Sequence, residues 1–484
     1  MSVFKQYILL IAYGYIPEMD IESNRYHDET LVGELSNKQR TMKASSLFFL
    51  LFGSNLTVAD FVLGVLIESY DLSIFYTIIA LVIANVGGAL LVAVMSYLGP
   101  KSGKGQMEIS KGYFGERGGK AFSVLQFMNT IGWLSVNLII SARALEFVMT
   151  NKNSLSFSIF GVSAFEILAL ILVMVFISLT VIYGHRSIRA FEKVMSVILG
   201  IMYLFLALSI FLNPTHFISL YSGKFSVIAF ASVIMLAFSY VMSWGPYAAD
   251  YSRYVRKGIT GEKASSMYTL LGAGLASFLV ELIGFYVAID LNLDGIFTNS
   301  LFVPLLGGLW FIGSMTLFLG GLSANALNIY SNLMSIRSLG FISARKYIIT
   351  AVGILTIILG FIFYTDFSSY FEGFLYVLDY WITPWIGVMI GEFYIARNLR
   401  IFNGKMNWNP IVAYLLSIGF SIPFMDTIQY YFGLSIPLYG ITSGVDYSYI
   451  ISFALAILLT ALFEKRCNLN RRRSVKTQAH SNVE

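Results

Sequence analysis

Cysteine occurs once in the 484 residues, as Cys467 near the end. That excludes a disulfide framework and a thiolate-rich metal centre. Histidine occurs four times (His27, His185, His216 and His480), always outside the long apolar stretches, so no histidine relay and no His/Cys cluster crosses them. Charge is scarce: Asp, Glu, Lys and Arg make up 12% of the chain, against roughly 25% in a soluble domain. A phosphate-binding loop is absent too. The run Gly99-Pro-Lys-Ser-Gly-Lys104 lacks the four-residue spacing before a Gly-Lys pair and the hydroxyl after it, so nothing in the chain points to ATP hydrolysis. What is present is apolar. Hydrophobic residues make up 57% and aromatics 16%, and the mean hydropathy is +0.73. No soluble core absorbs that much, because such cores split into domains beyond about 250–300 residues.

Twelve apolar stretches carry the excess, near residues 44–68, 73–98, 120–149, 163–183, 188–212, 226–250, 264–290, 303–334, 346–364, 371–395, 410–430 and 447–463. Each is long enough to cross a hydrocarbon core of about 30 Å at 1.5 Å per residue. The reading is therefore an all-α integral membrane protein with 12 transmembrane helices. Lys and Arg alternate between the connections. Gaps 99–120, 184–193, 251–263, 336–346 and 396–405 hold 5, 3, 4, 3 and 3, and 464–477 holds 6, whereas the intervening gaps hold only Lys152 and Lys224. By the positive-inside rule both termini are expected in the cytoplasm of a multi-pass cell-membrane protein. The net charge of +5 belongs to those loops, where it meets anionic lipid rather than a nucleic-acid polymer. Residues 1–43 read as a cytoplasmic N-terminal segment without a signal-peptide cleavage site, translated from Met1 or from Met19. Residues 44–464 form the transmembrane domain. Residues 465–484 form a basic cytoplasmic tail, expected to be disordered from 467 on, with Arg471, Arg472 and Arg473 near lipid headgroups. The Gly-rich connection 99–119 is expected to be a flexible loop with a short amphipathic helix at the membrane surface.

Two stretches carry weak points in corresponding places. Gly53-Ser-Asn-Leu-Thr57 interrupts the first, and Ser243-Trp-Gly-Pro246 the sixth. Glycine loosens a helix and proline removes a donor, so both segments are expected to unwind. At membrane depth, backbone outside a helix is tolerated only where it lines a cavity or is buried in protein. In the third stretch Trp133 and Asn137 lie four apart on one face. An indole there is too deep to anchor at the interface; it packs, or it stacks a ligand beside the Asn137 amide. Trp244 at the second break offers another indole, so a flat heterocycle could lie between the two. In the eighth stretch Asn325 and Asn328 share a face, as inter-helix ties or as contacts to a ring's amide-like edge. Ser323, with free carbonyls of an unwound first helix such as that of Gly53, suits a cation.

The run Trp133-x-x-x-Asn137, the run Trp244-Gly-Pro-Tyr-Ala-Ala-Asp-Tyr-Ser-Arg-Tyr254 and the run Ser323-Ala-Asn-Ala-Leu-Asn-Ile-Tyr-Ser331 together resemble the cytosine/purine permeases. These form the nucleobase–cation symporter family one, which includes hydantoin and allantoin carriers. Asn55, Phe61 and Gly64, and Tyr113-Phe-Gly-Glu-Arg-Gly-Gly119, fit the same pattern, and the resemblance covers about residues 35–464. It implies a LeuT-like inverted repeat of five plus five helices with two more at the C-terminal end. It implies that Trp133 and Trp244 stack the substrate, and that Asn137, Asn328 and more weakly Asn325 and Ser54 bond to it. The chain departs from the sodium-coupled pattern at Leu322-Ser323, where one of two hydroxyls is missing, and from the fungal amide pair at Ala324. Sodium and proton coupling both stay open.

Charges inside spanning stretches are costly. Glu281 and Asp379 are candidates for proton carriage. Arg143 and Glu146, three apart, suit a local pair, and Asp250 suits pairing with Arg253 or a neighbouring loop. The expected function is a secondary active importer of a planar nucleobase, cytosine or a purine, driven by Na+ or H+ through alternating access, with no cofactor and no enzymatic activity. A carrier of hydantoin, allantoin or an amino acid is the alternative. Amino-acid carriers commonly aim a Gly-x-Gly break at a carboxylate, and here the break reads Gly-Ser-Asn. A membrane-embedded enzyme would need clustered His, Asp or Cys at one depth, and a channel would need a repeated filter. The sequence has neither, and it is silent on the oligomeric state.

Overall fold

The first apolar stretch breaks because Asn55 turns its amide onto its own helix (Nδ2 to the Leu51 carbonyl, 2.8 Å) while Thr57 opens a new one. Thr57 is extended, and its hydroxyl accepts from the Asp60 N–H at 3.2 Å, an N-cap of the usual kind. In the computed structural model the result is α1 (Ser46–Asn55) and α2 (Val58–Glu68), bent by 53°. The unwinding is confined to Leu56 and Thr57. Gly53 and Ser54, expected within it, remain helical.

The structure describes residues 33–150, 158–181, 185–212, 221–291, 310–341, 343, 345–395, 402, 404–425 and 445–481. Met1, Met19 and the rest of the first 32 residues lie outside them. After α2 come α3 (Ile74–Ser102) and α4 (Gln106–Thr150), then a two-residue hairpin of β1 (Ser158–Ile159) and β2 (Val162–Ser163). The chain continues through α5 (Ala164–Val181), α6 (His185–Leu212), α7 (Val227–Met242), a 3-10 turn (Gly245–Tyr247) and α8 (Ala248–Ser252). It ends with α9 (Ile259–Leu291), α10 (Trp310–Leu339), α11 (Arg345–Ile362), α12 (Phe367–Ile390), α13 (Trp408–Ser421) and α14 (Ser448–Ser481). Among the described residues ten helices are long and apolar enough to cross a membrane, or eleven with α1–α2 taken as one span; Trp408–Phe424 is a shorter apolar helix. The second expected break is present: Gly245-Pro246 forms the 3-10 turn between α7 and α8.

Two expectations about loops are corrected. The connection 99–119 is not a flexible loop. The α3 helix closes on Gly103 in the left-handed conformation, and α4 begins at Gln106, kinked at Gly115 (φ 82°, ψ 169°). A Cβ at Gly115 would lie 2.9 Å from the Met406 Cα. Backbone bonds fasten the two segments: Phe402 N to Gly112 O (2.8 Å), Asn407 N to Phe114 O (3.0 Å), Arg117 N to Lys405 O (2.8 Å) and Glu116 N to Gly404 O (3.2 Å). Nor is the tail irregular from 467: α14 runs on to Ser481. Residues 445–484 contain neither glycine nor proline, so nothing stops the helix as it leaves the apolar segment.

The core places α4 against α10, α3 against α7 and α9, and α2 against α9. At the α2–α9 crossing, Gly64 and Gly284 let the two backbones touch. A Cβ on Gly64 would collide with the Glu281 carbonyl, and one on Gly284 with the Phe61 carbonyl.

Candidate functional site

A small cavity, with room for about one water molecule in this conformation, lies where the second break meets α4 and α10. Trp133 and Asn137 line it from α4, Tyr240 from α7, Trp244 and Tyr247 from the break, and Ala324 and Asn328 from α10. Trp133 and Trp244 are each only 4% exposed, so the cavity is interior. The Trp133 ring is held edge-on by Tyr240 (centroids 5.1 Å apart), Phe374 (5.2 Å) and Phe371 (6.4 Å). Trp244 leans on Tyr247 at 5.0 Å. These contacts fix the rings in place, so little side-chain entropy remains to be lost when a ligand stacks on them.

The polar groups around the cavity are oriented but incompletely paired. The Asn137 Nδ2 donates to the Trp133 carbonyl at 3.0 Å, and the Asn328 Nδ2 to the Asn325 Oδ1 at 3.3 Å. This leaves Asn137 Oδ1, Asn328 Oδ1 and the Trp133 indole N–H buried without partners. An unmet buried polar group costs about 1–3 kcal/mol. One donor and two acceptors unmet around one cavity match a flat molecule that carries both donor and acceptor edges.

The other residues singled out in the sequence lie elsewhere. Asn325 does not line the cavity. Its Nδ2 donates to the Leu134 carbonyl on α4 at 3.0 Å, so it ties two helices and orients Asn328. Ser54 does not line it either; its hydroxyl donates to the Leu51 carbonyl at 3.2 Å, within its own helix. Gly53 and Ser323 do meet: the Ser323 hydroxyl lies 3.3 Å from the Gly53 carbonyl and 2.6 Å from the Glu192 Oε2. Glu192, from α6, is fully buried, its Oε1 has no partner, and among the described residues it makes no ion pair. A carboxylate, a hydroxyl and a carbonyl converging without a counter-charge are a hard-oxygen set suited to a small cation. Glu281 accepts from the Asn85 Nδ2, and Asp379 from the Ser239 hydroxyl; neither bonds to a residue of that junction. Arg143 donates to the Tyr364 carbonyl and lies over the Tyr364 and Phe367 rings. Asp250 accepts from the Gln106 N–H at 2.8 Å, tying α8 to the start of α4.

Sequence reasoning missed Tyr240, Tyr247, Glu192 and Asp60. The first two carry a signal in hindsight, lying four before and three after Trp244. Glu192 and Asp60 are carboxylates inside apolar stretches, the same criterion that singled out Glu281 and Asp379.

An apolar helical bundle with two interrupted spans and an incompletely satisfied, aromatic-walled cavity at the second of them has the build of a multi-pass membrane transporter. The family model for permeases of cytosine/purines, uracil, thiamine and allantoin matches residues 34–452. The chain belongs to this family, one of transporters and not of enzymes. It is 26% identical over 443 residues to YxlA of Bacillus subtilis, assigned as a purine-cytosine permease, with 88% of this chain and 93% of that one covered. It is 24% identical over 437 residues to the purine-cytosine permease fcyB of Emericella nidulans (83% and 81% covered). The fold is similar to that of Mhp1, a nucleobase-cation-symport-1 family transporter solved in a closed conformation with bromovinylhydantoin bound: TM-score 0.70, 16% identity, 90% of this chain and 94% of that one covered.

Proposed function

We propose that this protein is a secondary active transporter that imports a planar nucleobase, cytosine or a purine, together with Na+ or H+. On this reading it crosses the plasma membrane twelve times with both termini cytoplasmic, as an inverted five-plus-five repeat with two further helices. Trp133 and Trp244 stack the ring, while Asn137 and Asn328 offer carbonyl oxygens to its N–H groups. The coupling cation lies among Gly53, Ser323 and Glu192, where α1, α10 and α6 meet. Its binding favours the conformation that takes up solute, so the ion gradient drives import. The observation that carries this reading is the unmet indole N–H and the two unmet amide oxygens around one aromatic-walled cavity.

A second reading, another flat heterocycle, is favoured by Ala324. It presents only a methyl to the cavity, which leaves room for a ring substituent. A relative 22% identical over 383 residues is the vitamin B6 transporter of Saccharomyces cerevisiae, so cargo other than nucleobases occurs among similar proteins. The test is a thermal-shift screen of the purified protein against cytosine, uracil, purines, hydantoin, allantoin and amino acids, with and without sodium. A ligand at about 100 times its Kd adds about 2.7 kcal/mol of apparent stability. Stabilisation by an amino acid and by none of the heterocycles would refute the proposal.

A further inference from the structure

Two carboxyls meet where α2 crosses α9. Asp60 and Glu281 are both 0% exposed; Asp60 lies one turn before Gly64 on the face of α2 that touches the Glu281 main chain, so the two carboxyls face each other across the crossing. Neither Asp60 oxygen is met by a donor, nor is the Glu281 Oε1. The Asn85 Nδ2 donates both to the Leu81 carbonyl (3.0 Å) and to the Glu281 Oε2, which fixes the amide with its N–H side towards the carboxyl. The Asn85 Oδ1 is buried without a partner. Among the described residues no Lys, Arg or His makes an ion pair with Asp60 or Glu281. The titratable groups facing the pair are the Tyr203 phenol from α6 and the Tyr240 phenol from α7. From α3 comes the neutral Asn85, and from α9 the neutral Ser277, whose hydroxyl faces Asp60 but donates its hydrogen to the Asn55 Oδ1 on α1 at 3.3 Å. The helices α4 and α10, which also touch α2, add no charged group to the pair.

Two adjoining carboxyls in such a place are costly to ionise together. One proton between them supplies a donor to the oxygens that have none. We propose that Asp60 and Glu281 share one proton and bind and release it in step with the solute, as a proton site separate from the Glu192–Ser323 junction. The inference rests on the carrier reading. The link to the cavity is short. Thr57 caps α2 through the Asp60 N–H, and its hydroxyl lies 2.7 Å from the hydroxyl of Tyr240, which lines the cavity. The Tyr203 hydroxyl holds the Thr57 carbonyl at 3.0 Å. Loss of the proton places two like charges where α2 and α9 touch backbone to backbone at Gly64 and Gly284. The repulsion shifts α2, and with it Thr57 and Tyr240. Solute affinity therefore falls as pH rises through the titration of the pair, and by linkage bound solute tightens the hold on the proton.

The test uses the full-length protein with Asp60→Asn and Glu281→Gln, each of which imitates a neutral carboxyl. Three measurements apply: the infrared carbonyl band of protonated carboxylic acid in sodium-free buffer at neutral pH, cytosine binding from pH 6 to 9, and the response of a pH dye trapped in proteoliposomes to added cytosine. The wild type should show the infrared band, lose cytosine affinity about tenfold across the range, a typical coupling, and acidify the lumen. Either variant should fold at neutral pH, lose that band, bind cytosine independently of pH and move no protons. The proposal is overturned if the band persists in both variants, if sodium abolishes it, or if both variants unfold at neutral pH. If cytosine neither binds to nor acidifies the wild type, the cargo assignment fails while the infrared measurement alone decides whether the proton is shared.

Discussion

Replacing Trp133 separates stacking from packing, because the ring does both. Stacking of a base on an aromatic side chain is worth about 1–3 kcal/mol, which converts to a loss of about 5- to 150-fold in affinity at 1.4 kcal/mol per factor of ten. Trp133 also fills the space among Tyr240, Phe371 and Phe374, so Trp133→Ala additionally opens a hole, and truncating a buried Trp costs about 3–5 kcal/mol of stability. Trp133→Phe keeps an aromatic ring among those edges but loses the indole N–H. In Trp133→Ala, cytosine affinity measured by calorimetry on purified protein is expected to fall by about 5- to 150-fold, with a matching loss of uptake in vesicles. In Trp133→Phe the fold is expected to survive with an intermediate loss of affinity. Wild-type affinity in a folded, membrane-inserted Trp133→Ala protein would refute the stacking role and leave the cavity as a packing defect.

Asn328→Ala should change the ranking of competing nucleobases in an uptake assay more than the ion dependence; the reverse pattern would mean that α10 serves the cation. Glu192→Gln should remove or sharply weaken the stimulation of solute binding by the coupling cation while leaving ion-free binding within about twofold, as read by titration in sodium-free and sodium buffers across pH. Unchanged stimulation would exclude Glu192 from the cation site. Thr57→Val removes the cap of α2 and should lower stability by about 1 kcal/mol, seen as a reduced thermal midpoint. It should also flatten the pH dependence of cytosine binding, because the contact between α2 and Tyr240 is gone.

Hydropathy and loop charge made the membrane class and the positions of most spans legible, since each helix must cover its own backbone and a full bilayer thickness. The two breaks were legible because Gly, Pro and Asn in an apolar run leave a local mark. Their extent was not: Gly53 and Ser54 stay helical because the Thr57 cap and the Asn55 side chain concentrate the unwinding on two residues. At the site, the four-residue spacing put Trp133 and Asn137 on one face, and both do line the cavity. Spacing could not say which of Asn325 and Asn328 points inward, since either suits a helix contact or a ligand; the Leu134 carbonyl on a separate helix decides it. Asp60 meets Glu281 across 221 positions of chain, and no local pattern encodes that encounter.

The bonds that fasten residues 402–407 to the kink at Gly115 run from main chain to main chain, so they do not depend on which side chains occupy either segment. If part of the bundle rocks during the cycle, the beginning of α4 and the lead-in to α13 must travel as one piece. Spin labels on residues 116 and 405 would then hold a constant separation through every turnover, an internal ruler against which the displacement of the other helices can be measured.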